Sequence, residues 1–303
     1  MIIKLIRSYA RSGTLWRFAG FKFTWLVLVA SAPWRATGQD ATNLMESPGG
    51  GYFTDWFARV SRIQAAQPHW ITPMTTVTPR LEEEYRYDQS WETTSKGSKV
   101  TSYGGGKGLE LIPYDNIEVI LGVPAWQNYN KPDGKDGFAD DSFLLKYRVA
   151  AANEENGNYI VTGFLGLSVP TGQHELTENH YIVTPTLALG KGWGDFDVQS
   201  TLGVSIPDNG AASEGSGTPL QINTAFQYNV LKVLWPELEV NHTYWGNGEH
   251  EGKNQVFLSP GFLLGRFPIW NRVGVTIGLA YQVALTDKPT FNHNFLLSMR
   301  VPF

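Results

Sequence analysis

Phe295-Leu-Leu-Ser-Met-Arg-Val-Pro-Phe303 places Phe295, Leu297, Met299, Val301 and Phe303 at every second position, so an extended backbone carries all five on one face. Ser298 and Arg300 alternate with them. A strand whose apolar face runs to a final aromatic needs cover along its whole length. Two covers are available: a second sheet, as in a secreted β-sandwich, or lipid, as in a strand that crosses a membrane. The rest of the chain chooses between them.

The amino terminus directs the chain to export. Lys4, Arg7, Arg11, Arg17 and Lys22 precede the first acid, Asp40, and Phe23–Ala32 is an apolar run of ten residues. Such a run is too short for a bilayer-spanning helix and has the form of a cleaved signal peptide over 1–38, a membrane anchor being the alternative. Pro33 obstructs cleavage after Ala32, so Ala36-Thr-Gly38 before Gln39 is the expected site. Removing 1–38 takes away six Lys/Arg and no Asp/Glu, which turns the formal charge of −4 into −10. That balance argues against a nucleic-acid partner. Cysteine is absent, which excludes disulfides and thiolate chemistry. Beyond the signal no apolar stretch reaches about eighteen residues, so no transmembrane helix is available. Aromatics nevertheless make up 13% and charged residues only 17%, the profile of strands with one face in lipid and one facing a polar lumen.

From residue 81 the period-2 alternation is sustained. Leu81, Tyr85, Tyr87 and Trp91 share one face of a first strand and Glu82, Glu84, Arg86 and Asp88 the other. Further strands are expected near 106–112, 117–127, 143–149, 159–169, 181–189, 196–206, 220–228, 238–245, 255–265, 273–284 and 293–303. Pro124, Pro185 and Pro260 fall inside this pattern and predict bulges or shifted boundaries. The connections 113–116, 153–158, 190–195, 231–237 and 268–271 are short, whereas 92–104, 130–141, 170–180, 207–219, 246–254 and 286–292 are mostly longer. Twelve strands with alternating short turns and long loops predict an all-β fold: an antiparallel up-and-down transmembrane barrel over 81–303, both termini periplasmic. Trp193, Trp235, Phe267, Trp270 and Phe303 at the turn side and Trp91, Tyr103, Trp126, Tyr129, Tyr181 and Tyr244 at the loop side would form its aromatic girdles. A sandwich needs neither feature, so lipid is the expected cover.

Residues 39–80 precede the barrel. Thr54 offers an N-cap, and Phe53, Phe57, Val60 and Ile63 recur at helical spacing, so a short amphipathic helix is expected there. Pro68, Pro73 and Pro79 keep the chain between that helix and the first strand extended. The segment either rests at the periplasmic mouth or enters the lumen as a plug.

The closing strand resembles that of bacterial outer-membrane barrels, where a terminal Phe after alternating apolar residues is the signal read by the barrel-assembly machinery. That resemblance implies the machinery and outer-membrane lipid as partners and Phe295, Leu297, Met299, Val301 and Phe303 as the assembly signal. Opposite the lipid faces, the charged residues Glu82, Glu84, Arg86, Asp88, Glu118, Lys146, Arg148, Glu239 and Arg300 are expected to line the lumen, with Arg300 beside Glu82 or Glu84. Mixed charges inside a barrel either orient a solute or zip the interior shut with ion pairs. Gly122, Gly166, Gly203, Gly261, Gly274 and Gly278 on the same face favour usable space or strand coiling.

Gly108–Pro124, Leu145-Lys-Tyr-Arg-Val149 and Ser168-Val-Pro-Thr-Gly172, with Phe303, resemble the outer-membrane transporter family associated with the meta-pathway of phenol degradation. The resemblance covers roughly 80–303 and implies uptake of small, often hydrophobic or aromatic compounds. A rival reading is an outer-membrane hydrolase. Asn241-His242-Thr243 begins like a phospholipase motif, but no serine follows at the spacing an activated nucleophile needs, and His242 is expected at the lipid interface. His174 and His180 with Glu175 and Glu178 match no standard metal spacing, and Gly104–Gly108 lacks the helix of a phosphate loop. The expectation is a channel rather than an enzyme, without cofactor or metal; a closed structural or surface-recognition barrel is the alternative.

Overall fold

The computed structural model describes residues 51–105, 107–130, 134–208, 217–287 and 289–303. The expected signal peptide and the start of the 39–80 segment lie outside the described residues. The elements are α1 (Trp56–Ala65), β1 (Glu84–Thr94), β2 (Lys99–Tyr103), β3 (Gly108–Tyr114), β4 (Ile117–Leu121), β5 (Trp126–Asn130), β6 (Gly137–Phe138), β7 (Asp141–Ala152), β8 (Tyr159–Val169), β9 (Ile182–Trp193), β10 (Phe196–Val204), β11 (Ile206–Pro207), β12 (Pro219–Tyr228), β13 (Leu234–Trp245), β14 (Asn254–Trp270), β15 (Val273–Ala284) and β16 (Phe291–Pro302).

Every strand pairs antiparallel with its neighbours, and β16 returns to β1 with Tyr85 opposite Val301, Tyr87 opposite Met299 and Trp91 opposite Phe295. Four wall positions are each shared by two successive strands, β2 with β3, β4 with β5, β6 with β7 and β10 with β11, so the closed barrel has twelve positions. Closure removes the open edge of the sheet, which lets it sit in hydrocarbon with its backbone groups paired between strands.

Alternation sets the two faces. In β15, Gly274, Thr276, Gly278, Ala280 and Gln282 are buried inside, while Ile277 and Tyr281 stand exposed outside. Leu145, Leu165, Leu187, Leu189 and Leu202 continue the exposed apolar belt around the wall, and Phe295 and Met299 carry it to β16. An apolar surface this extensive is tolerable only in lipid.

Prolines break the ladder where their missing N–H would pair. Pro124 separates β4 from β5, and Pro185 lies opposite the gap between β10 and β11. Beside Pro260 the pairing of β14 with β15 lapses and resumes in the same register. The expected long connection 92–104 is instead strand: β1 runs on to Thr94, and the turn to β2 closes with Thr94 N–H donating to Ser98 O at 2.8 Å. Gly108 restarts the wall at φ +74, where a Cβ would lie 2.4 Å from Leu121 O, so glycine is required.

Three further expectations change. Leu81 does not face lipid, because β1 begins only at Glu84; Leu81 is buried with Val60, Ile63 and Ile112. Trp235 is not a girdle residue, because β13 begins at Leu234 and Trp235 shares the inward parity of Glu237 and Glu239. The helix starts after Asp55 rather than Thr54, whose hydroxyl turns back to Gly51 O at 2.7 Å. It packs across the short-turn end, where Asn153 Nδ2 donates to Ala65 O at 3.2 Å and Arg272 Nη1 to Ser61 Oγ at 2.6 Å.

The lipid assignment is tested at Leu187, mid-strand on the exposed face of β9. Leu187→Arg should destabilise the barrel by about 2–4 kcal/mol if the site lies at the bilayer midplane. On a soluble surface the same change would stay within about 0.5 kcal/mol. Denaturant unfolding in lipid vesicles distinguishes the two.

Candidate functional site

Between α1 and β1 the chain enters the barrel. Residues 67–83 form no regular element, yet all but His69, Thr75 and Val77 are buried. An extended chain away from any sheet edge presents peptide groups that need partners. Pro68, Pro73 and Pro79 remove N–H groups, which leaves carbonyls in excess. The wall supplies the complement: cations and amides for the carbonyls, carboxylates for the N–H groups.

The carbonyl partners come from around the barrel. Arg300 donates to Thr72 O and, at 2.8 Å, to Pro73 O; Arg86 donates to Met74 O at 2.5 Å and also reaches Pro73 O. Lys146 Nζ donates to Arg80 O at 3.0 Å, Gln199 to Ile71 O at 3.0 Å and Thr162 to Pro79 O at 2.6 Å. Trp70 O accepts from both Arg80 and Arg266. On the donor side, Thr75 N–H and Thr76 N–H share the Glu239 carboxylate at 2.7 and 2.6 Å, Met74 N–H donates to Glu237 at 3.3 Å, and Glu82 N–H to Glu118 at 2.7 Å.

Glycines seat the side chains. A Cβ on Gly190 would meet the Trp70 ring at 2.4 Å, and one on Gly278 would meet Met74 Sδ at 2.3 Å. Met74 closes a small apolar cluster with Ile71, Trp235, Leu263 and Ala280. These small inward residues therefore accommodate the segment rather than leave open space at that level.

Each expected lumen residue can be placed. Glu82 lies on the entering segment, paired with Arg80 at 2.7 Å. Glu84, Arg86, Glu118, Lys146, Glu239 and Arg300 are buried inside; Lys146 pairs with Glu118 at 2.9 Å and Arg86 with Asp88 at 2.8 Å. Arg148 sits at the turn end, donating to Ile63 O and Asp115 O, each at 3.0 Å. Arg300 does lie near Glu84, but its hydrogen bonds go to the segment: Arg300 stands in register with Arg86, and the two guanidiniums meet on the carbonyls of residues 72–74. Phe295, Leu297, Met299 and Val301 share one face of β16, and Phe303 comes directly after it.

Sequence reasoning missed Glu237, Arg266 and Trp70. Glu237 fell in an expected turn. Arg266 sits at a register shift in β14 with φ +56, which turns it off the regular alternation. At the segment's entrance, Glu154 accepts from His69 N–H at 2.6 Å and contacts His69 Nδ1 at 2.8 Å. Partial burial alone would raise the Glu154 carboxyl, but these hydrogen bonds outweigh it and hold it below the ordinary carboxylate range. His180 pairs with Asp208 at 3.4 Å and His242 contacts Asn254 at 3.0 Å; no group of three or more potential ligands fit for a metal occurs among the described residues.

No protein-family model and no curated protein matches the chain. Among solved structures, an outer membrane channel from Pseudomonas putida F1 aligns with TM-score 0.52 over 71% of this chain and 91% of that one, at 16% identity. The transport unit of the autotransporter AIDA-I from Escherichia coli aligns with TM-score 0.36 over 82% and 98%, at 12% identity. The first likeness is one of fold, that of an outer-membrane β-barrel.

If the wall binds the segment through its backbone, Arg300→Met should leave Thr72 O without its cation and Pro73 O with only the long bond to Arg86, at a cost of about 2 kcal/mol. Arg300→Lys should fall between, since one ammonium replaces a planar fork. Unfolding of the refolded barrel, with proteolysis of residues 67–83, checks this; unchanged stability and unchanged protection would contradict the docking.

Proposed function

We propose that this protein is an outer-membrane channel whose lumen is occupied at rest by its own residues 67–83, and that small solutes pass when this segment shifts. The observation that carries the proposal is the division of labour inside the barrel. The buried wall charges grip peptide groups, so much of the occupant is held by polar contacts that a rearrangement can exchange for water, while Trp70, Ile71, Met74 and Leu81 are seated by packing. The fold shared with a protein described as an outer membrane channel supports the same reading.

In this proposal the short turns and α1 face the periplasm and the longer loops face outward, the usual asymmetry of such barrels. Resemblance to the transporter family of the phenol meta-pathway points to small hydrophobic or aromatic solutes. The second reading, a permanently closed barrel, draws on the same network: if every contact to the segment persists, nothing passes.

Planar-bilayer recordings separate the two. The unaltered protein should show small or intermittent conductance. Glu237→Gln with Glu239→Gln should raise the frequency or size of openings, because the N–H groups of residues 74–76 lose their charged acceptors. Silence from both proteins would contradict the channel and leave the closed barrel.

A further inference from the structure

Toward the loop end of the barrel, a cavity of about 260 Å³ separates Val77 of the lumenal segment from the wall. Ile120, Leu144 and Gly166 give it apolar sides, and Ser142, Ser168 and Thr184 add hydroxyls. Thr184 Oγ1 already shares a hydrogen bond with Ser205 at 3.2 Å. The remaining polar lining residue is Lys107.

Lys107 is only 9% exposed, and its ammonium makes no hydrogen bond among the described residues. Its nearest carboxylate, Glu110, lies 3.8 Å away, beyond hydrogen-bond reach, and is shared at 4.0 Å with Lys146. Lys146 differs, because Glu118 at 2.9 Å and Arg80 O at 3.0 Å satisfy it. A buried ammonium without an acceptor is costly, and a charged acceptor offsets that cost better than a neutral one. Gly166 matters here because it keeps the wall low: a Cβ there would come no nearer than 3.4 Å to any neighbour, so nothing in the packing demands glycine except the space itself.

We infer that this cavity binds a small organic anion with an apolar body, a monocarboxylate, whose carboxylate accepts from Lys107 and whose hydrocarbon lies against Val77, Ile120 and Leu144. The volume suits a compact ligand rather than a sugar or peptide. The inference rests on the channel reading only for the claim that the bound anion is cargo; binding itself does not require conduction. Because Val77 belongs to the segment that closes the lumen, an occupant would touch the element whose movement opens the path.

Titration of hexanoate into the refolded full-length protein, monitored calorimetrically, tests this, with 1-hexanol and hexylamine as neutral and cationic probes of matching shape. On the unaltered protein hexanoate should saturate and bind about tenfold more tightly than either. Lys107→Gln should weaken hexanoate by about tenfold while leaving 1-hexanol unchanged. Gly166→Val should abolish binding of all probes by filling the space, which locates the site even if the lysine variant fails to fold. No saturable hexanoate binding, equal affinity for the three probes, or hexanoate binding that survives Gly166→Val would overturn the inference. Normal conductance without hexanoate binding would sink this site and spare the channel, whereas binding in a silent barrel would do the reverse.

Discussion

An extended peptide buried inside a closed barrel cannot pair with the wall's backbone, because the wall strands, apart from the two-residue β6 and β11, already have two neighbours each. Each buried carbonyl or N–H left unmet costs about 1–3 kcal/mol. The wall charges face the mirror problem: ammonium, guanidinium and carboxylate groups held away from water need compensation. Residues 72–76 and the ring of Arg86, Arg300, Glu237 and Glu239 solve both at once, peptide dipoles solvating charges and charges satisfying peptides. The remaining lumenal features depend on this arrangement. Glycines 190 and 278 recede where Trp70 and Met74 enter, and α1 caps the end from which the segment comes.

Such a socket reads the course of a backbone more than the identity of its side chains. The segment is held by separate hydrogen bonds from different strands rather than by one dominant contact. The mixed charges are thus neither an empty selectivity stripe nor a set of ion pairs closed on itself. Arg86 with Asp88 and Lys146 with Glu118 do pair, but Arg86 and Lys146 also direct donors to the segment.

The wall was legible in the sequence because its rule is local. A period of two, fixed by the pleat, assigns faces without knowledge of the partner strand. The expected span 273–284 coincides with β15, and Glu84, Arg86, Glu118, Lys146, Glu239 and Arg300 all face inward as the parity required. Errors arose where local rules end. Leu81 and Trp235 lie in other surroundings than the alternation predicts because the strand starts differ by a few residues, and hairpin β1–β2 continues through a polar stretch that resembles loop. The occupant of the lumen was less legible still. Its partners lie 163 and 164 residues away for Glu239 and 227 or 228 for Arg300, and bonds to peptide groups leave no residue code at the bonded position. Three prolines in a threonine-rich stretch announced an extended chain short of N–H donors; they did not announce which side chains would receive its carbonyls.

The absence of cysteine makes the central claim directly measurable. Thr76 is buried in the lumen with its N–H on Glu239, whereas Phe53 is 82% exposed outside the barrel's mouth. Single-cysteine proteins carrying Thr76→Cys or Phe53→Cys, refolded and treated with a water-soluble maleimide, report whether residues 67–83 occupy the barrel. The account predicts rapid labelling at position 53 and strong protection at 76 that disappears on unfolding. Equal labelling at both positions in the folded protein would contradict it.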